Sequence, residues 1–131
     1  MDQVVGVVRE IRIHPVKGQP GVELTESDVV ATGLAGDRPK RSPVLLVAEA
    51  DADARANLVL SCAPADLTAA VQRSLRVGTA ALRVTGPATP CPGVYAEVTD
   101  QGRVRVGDPV ALLTPPPGGS ETAATGAVPG R

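Results

Sequence analysis

The sequence predicts a mainly β protein: a small β-barrel, closed or partly open, with one or two short helices. Three observations lead there. The chain has a single aromatic residue, Tyr95, and no Phe or Trp, so its core must be built from Val, Leu, Ile and Ala. Valine leads in the apolar runs, and its β-branching favours a pleated sheet over a helix. Fourteen glycines and thirteen prolines among 131 residues cut those runs into short pieces with tight connections, the pattern of sandwiches and barrels.

Along the chain, Val5, Val7, Ile11 and Ile13 share one parity while Glu10 and Arg12 take the other. That period of two makes residues 4–13 a half-buried strand. Pro15 holds His14 extended and ends the ladder. Lys17-Gly18-Gln19-Pro20-Gly21 reads as a turn, residues 22–25 as a second strand, and residues 28–32 as a third, stopped by Gly33. Residues 33–42 carry Gly33, Gly36 and Pro39 among the charges of Asp37, Arg38, Lys40 and Arg41 and read as a loop. The unbroken apolar run Val44-Leu45-Leu46-Val47-Ala48 suits a strand covered on both faces. Residues 49–56 alternate alanine with charge and fit a helical turn or two, and residues 58–60 form another strand.

Asp66 fits an N-cap for a short helix with Leu67, Ala70, Val71 and Leu75 on one stripe, although Leu75-Arg76-Val77 also reads as strand. Residues 81–85, 94–98, 103–106 and 110–113 are short β runs. Asp100-Gln101-Gly102 joins two of them as a hairpin, Gly102 supplying the positive φ such loops use. Leu75-Arg76-Val77-Gly78 is echoed 29 residues later by Val104-Arg105-Val106-Gly107; two copies of strand and glycine turn are barrel geometry, not a repeat array. Residues 1–113 are expected to form one domain. Residues 114–131, dominated by Pro, Gly, Ser, Thr and Ala, are expected to be a disordered tail.

Composition narrows the function. Thirteen basic side chains against fourteen acidic ones leave a net charge of −1, with no basic excess to bind a phosphate backbone and no aromatic platforms for base stacking. A nucleic-acid partner is not expected. No apolar run reaches the roughly 20 residues that span a bilayer, and Met1-Asp2-Gln3 lacks the basic start of a signal peptide. The expectation is a soluble cytoplasmic protein without a membrane partner. Cys62 and Cys91 are too few for a four-cysteine zinc site or an iron–sulfur cluster, and in the cytoplasm they are expected to stay reduced.

Thr89-Pro90-Cys91-Pro92-Gly93 is the most informative segment. The flanking prolines disfavour helix and hold the thiol on a stiff, irregular stretch of the kind found at a surface or a barrel mouth. There Cys91 could ligate a soft metal, carry sulfur, act as a metal-free nucleophile, or simply pack as a small hydrophobe. Cations that could accompany it stand in two other loops. Lys17 follows His14-Pro15-Val16 and is one of two lysines beside eleven arginines; Arg38 follows Gly36-Asp37 and offers a planar fork for phosphate or carboxylate. Asp37 is expected to hydrogen-bond within its own loop. His14, the sole histidine, cannot make a two-histidine metal site. Glu49, Asp51 and Asp53 alternate with alanine and read as an exposed face.

In order along the chain, Val8-Arg9-Glu10-Ile11-Arg12-Ile13-His14-Pro15-Val16-Lys17-Gly18, Gly33-Leu34-Ala35-Gly36-Asp37-Arg38, Arg55-Ala56-Asn57-Leu58-Val59-Leu60, Leu75-Arg76-Val77-Gly78, Leu82-Arg83-Val84-Thr85, Pro90-Cys91-Pro92-Gly93-Val94-Tyr95-Ala96-Glu97-Val98 and Val104-Arg105-Val106-Gly107-Asp108 resemble the MOSC domain family, relatives of the C-terminal domain of molybdenum-cofactor sulfurase. The resemblance covers about residues 4–113. It implies a compact barrel of the MOSC or pyruvate-kinase type that binds the molybdenum cofactor (molybdopterin) or carries sulfur for metal–sulfur centres, some relatives being oxidoreductases. It further implies that Cys91 is the catalytic residue, as molybdenum ligand or sulfur carrier, that Lys17 and Arg38 hold the phosphate and pterin of the cofactor, and that Asn57 lines the cleft. Redox work would require electrons or sulfur from a separate donor protein. Two departures stand out: Gly18 occupies a position where many relatives have serine, and the stretch between Lys40 and Leu75 is short. The alternative is a degenerate, non-catalytic barrel serving as a binding or interaction module. A homodimer through exposed edge strands fits either reading.

Overall fold

The computed structural model describes residues 3–38, 43–51, 55–88 and 92–113. Eleven strands are present among them: β1 (Gln3–Ile13), β2 (Val22–Leu24), β3 (Glu26–Val30), β4 (Gly33–Leu34), β5 (Val44–Ala48), β6 (Leu58–Leu60), β7 (Ser74–Val77), β8 (Ala80–Pro87), β9 (Val94–Asp100), β10 (Gly102–Arg105) and β11 (Pro109–Leu112). One helix, α1 (Pro64–Ala69), and a 3₁₀ turn at Glu49–Asp51 complete the described elements.

Seven strands close on themselves in the order β1-β11-β7-β8-β9-β5-β6 and back to β1, with β2 hung on β1 outside the ring. The expected mainly β barrel is therefore present, and it is closed. Closure depends on β1, which pairs with β11 through residues 3–7, with β6 through residues 8–11 and with β2 through residues 11–13. Its register shifts between Val4 and Gly6 and between Val8 and Glu10, as strands do where they bend to change partners. All ring pairings are antiparallel except β5 with β6.

Side chains alternate as a period of two demands. Val44, Leu46 and Ala48 of β5 and Leu58 and Leu60 of β6 face the barrel interior with Val8, Ile11, Leu82 and Val84. Leu45, Val47 and Val59 face outward into a second cluster with Ala56, Ala88 and Tyr95. β5 is thus buried on both faces, as its unbroken apolar run requires. A three-stranded sheet, β10-β3-β4, adds Val104, Val29 and Leu34 to the interior cluster.

Several local expectations are corrected. The third strand runs over 26–30 instead of 28–32, and Gly33 does not stop it but begins β4, at φ 120°. The helix begins at Pro64, whose missing N–H suits a first helical position; Asp66 lies inside the first turn and accepts the Ala63 N–H at 3.0 Å. It ends before Leu75 because the chain is drawn into the sheet: Gln72 N–H donates to Val84 O and Val84 N–H to Arg73 O, both at 2.8 Å. Gln72 adopts φ 70° to make that change of direction.

The Asp100-Gln101-Gly102 hairpin does not form. β10 pairs with β3, not β9, and Gly102 is not among the positive-φ residues. A Cβ there would lie 2.6 Å from the Thr79 carbonyl carbon, so close approach of two backbones accounts for the glycine. Gly78 and Gly107 of the internal echo both take positive φ, 60° and 95°. The first joins a true β7–β8 hairpin, whereas the second links strands of different sheets. Residues 114–131, the expected tail, lie outside the described residues. Among the described residues no helix is long and apolar enough to cross a membrane.

Candidate functional site

The loops bearing Lys17 and Arg38 are tied together through His14, Asp37 and Arg38. Pro15 cannot extend β1, so the His14 N–H has no ladder partner. It is taken instead by Asp37 Oδ1 at 2.6 Å, and the Arg38 N–H approaches His14 O at 3.3 Å. Asp37 thus reaches beyond its own loop, to a segment 23 residues away. Gly36, at φ 86°, sets the carboxylate on that path, and Asp37 N–H closes the turn onto Leu34 O at 3.1 Å. Gly18, at φ 80° with open space around it, shapes the other loop, where Gln19 N–H donates to Val16 O at 3.2 Å.

Asn57 anchors this pair of loops to the barrel. It is fully buried. Its backbone donates to Leu45 O at 2.9 Å and accepts the Arg12 N–H at 2.8 Å. Its side chain repeats both contacts from the other direction, Oδ1 accepting Leu45 N–H at 2.9 Å and Nδ2 donating to Arg12 O at 3.1 Å. Nδ2 also donates to Asp37 Oδ2 at 3.0 Å. One acceptor and two donors on a short stem are what the position needs. Aspartate lacks the donors, and leucine would leave the buried Leu45 N–H and the half-buried Arg12 O and Asp37 Oδ2 without this partner. Asn57 thus acts through the loops it holds.

Lys17 is exposed and Arg38 half-buried, so both cations belong to one connected loop pair at the solvent boundary. Cys91 lies outside the described residues, together with Thr89 and Pro90. Its surroundings are defined on both sides. Ala88 N–H donates to Gly93 O at 3.0 Å, and Gly93 takes φ 110° where a Cβ would run into Leu46 O and Val47 Cγ1. Val94 and Tyr95 then pair with Leu46 and Leu45. The cation-bearing loops reach β5 at Leu45 through Asn57, and the cysteine-bearing segment reaches it at Leu46, from the opposite strand edge.

Cys62 is buried within the barrel core, and burial, with the nearby Asp66 charge, pushes its thiol upward. It is a packed hydrophobe, as its residue type suggests. Among the described residues no three of His, Cys, Asp and Glu gather to hold a metal ion. Glu49 is exposed and 3.6 Å from the Arg9 guanidinium, whereas Asp51 is half-buried, and Asp53 lies outside the described residues. Sequence reasoning missed the reach of Asp37 and the clamp made by Asn57; the one available signal was a pre-proline N–H at residue 14 that needed an acceptor.

No protein-family model matches the chain, and no curated protein sequence matches it. Solved structures do. The YuaD protein from Bacillus subtilis superposes with a TM-score of 0.65 at 16% identity, covering 85% of this chain and 94% of that one. A hypothetical protein of known structure gives 0.68 at 15% identity, covering 88% and 70%. YiiM from Geobacillus stearothermophilus gives 0.58 at 13% identity, covering 87% and 76%. At these identities the likeness is one of fold: a β-barrel consistent with the MOSC architecture.

Proposed function

We propose that this barrel binds a molybdopterin-type cofactor, with Lys17 and Arg38 holding its anionic end and Cys91 presenting a thiolate to its metal. The observation that carries the reading is the clamp built on Asn57 and Asp37. It holds two cation-bearing loops together and fixes them to β5, one residue from where Gly93 fixes the end of the cysteine-bearing segment. A fully buried polar hub of this kind spends an interior position on placing two surface loops, and those loops display charge suited to a phosphate.

The residues fit such a group by their chemistry. Arg38 offers a planar fork and Lys17 a point charge, both complementary to phosphate. A cysteine thiolate is a soft ligand suited to a soft metal. Bound here, the cofactor would supply a metal centre for electron or sulfur transfer. The chain's own residues would neutralise its charge, orient it through two loops held in register, and keep those loops from moving apart. Electrons or sulfur would come from a separate donor protein.

Native mass spectrometry with metal analysis of the full chain, before and after incubation with isolated cofactor, tests this. One cofactor per chain is expected. Lys17→Ala and Arg38→Ala should each weaken binding about tenfold or more, the effect of losing one charge-assisted bond of about 1.5–3 kcal/mol. Cys91→Ser should retain the pterin yet lose the metal–thiolate signature. Failure to bind, or binding indifferent to all three substitutions, would overturn the proposal in favour of a non-catalytic interaction module.

A further inference from the structure

We infer that the cavity at the C-terminal end of β5 is a binding site for a small organic cation, an alkylammonium with a short apolar body. Its volume is about 190 Å³, below the roughly 300–1,000 Å³ of sites for drug-sized ligands, so it selects small molecules. The apolar surface comes from Ala48, Leu67 and Val94, all buried. Among the described residues, two polar side chains, Asp51 and Thr68, also line it. Asp51 is half-buried and has no hydrogen-bond or ion-pair partner among the described residues. The Thr68 hydroxyl spends its proton on Pro64 O at 3.3 Å, which leaves its lone pairs as acceptors. Both polar side chains therefore offer only acceptors, and one of them is charged. A ligand with N–H donors and a positive charge satisfies both; a carboxylate or phosphate is repelled.

Gly93 also lines the cavity, two residues from Cys91, so a bound cation would lie beside the cysteine-bearing segment. That such a cation is a substrate of the Cys91 site rests on the function proposed above; its binding does not.

Methyl-detected NMR of the full chain without cofactor provides the test, with n-butylammonium as probe and n-butanol and butyrate as controls. Saturable shifts at the Leu67 and Val94 methyls are expected with butylammonium. They should weaken at least tenfold with n-butanol and at least tenfold in Asp51→Asn, whose remaining spectrum reports that it is folded. Cys91→Ser should bind like the wild type, which separates this site from the cofactor proposal. No saturable shift, an equal response to n-butanol, or undiminished binding in folded Asp51→Asn would overturn the inference.

Discussion

The side chains of Asp37 and Asn57, 20 residues apart in sequence, meet at 3.0 Å, while the other oxygen of the same carboxylate takes the His14 N–H at 2.6 Å. Asn57 is thereby bonded to residues 12, 37 and 45 at once. Asn57→Ala leaves Arg12 O, Leu45 N–H and Asp37 Oδ2 each without this partner. Only the Leu45 N–H is buried, Arg12 and Asp37 being half-buried, so at about 1–3 kcal/mol for a buried group left unmet the expected loss is about 1–3 kcal/mol. A double-mutant cycle with Asp37→Ala, read from urea midpoints, should show coupling of about 0.5–3 kcal/mol, as contacting residues do. Strict additivity would mean that the two side chains do not act as one clamp.

Gly18 and Gly93 both hold positive φ, but only Gly93 is also crowded, against Leu46 O and Val47. Gly18→Ala should therefore cost only the conformational penalty of about 1–2 kcal/mol. Gly93→Ala adds a backbone clash and should cost at least about 2 kcal/mol more, and it should weaken cofactor binding by displacing the end of the cysteine-bearing segment. Thermal melts of the two variants provide the comparison; equal costs would show that the Gly93 contact relaxes freely.

The two thiols should behave differently. Cys62 is buried and its thiol is pushed up by desolvation first and by Asp66 second. A raised folded value favours the neutral form, so its contribution to stability is complete below the unfolded thiol value of about 8.5. That contribution is lost as pH rises through the folded value. Urea midpoints of the wild type should carry this alkaline decline, and Cys62→Ala should lack it. A chromogenic disulfide reagent should label one thiol quickly in the native protein, lost in Cys91→Ser, and two after unfolding. Rapid native labelling of both would contradict the burial of Cys62.

On the three-stranded sheet, Arg103 bonds Glu26 at 2.6 Å and Asp28 at 2.8 Å. The hydrogen bond from Arg103, and then its charge, hold the Glu26 carboxyl below its ordinary value. The stability it lends is present above the unfolded carboxylate value of about 4.3 and is lost as pH falls through the folded one. Because the groups are exposed, the effect on stability should be small and screened by salt. Arg105, 3.3 Å from the same carboxylate, adds to the lowering, so an NMR titration should find Glu26 shifted down in the wild type and less so in Arg103→Gln.

Much of the ring was legible in the sequence because it is written locally. Alternation marked β1, the unbroken run marked β5, and Pro15, Gly18 and Gly36 marked the loops that carry the cations. What failed was pairing and reach. Gly102 resembles a hairpin glycine, yet β10 is claimed by β3, where Val104 and Val29 enter the same interior cluster; that choice is made by the core, not by the turn. Likewise nothing near residue 57 announces that its amide will serve backbone groups 12 and 45 residues away. Loop positions for Lys17 and Arg38 could be read from neighbours, whereas what holds them could not.

The pairing of Gln3–Val7 with Pro109–Leu112 also has a kinetic consequence. It is the seam of the ring, and it joins strands about a hundred residues apart, so the cylinder cannot shut until its last strand arrives. Until then β1 and β7 each present a bare edge, the kind of surface that invites pairing with another chain. Assembly dominated by such distant contacts is intrinsically slow. Removing residues 109–112 should leave a species that clumps during refolding, whereas joining residue 112 to residue 3 by a short linker and opening the chain at another turn should hasten closure.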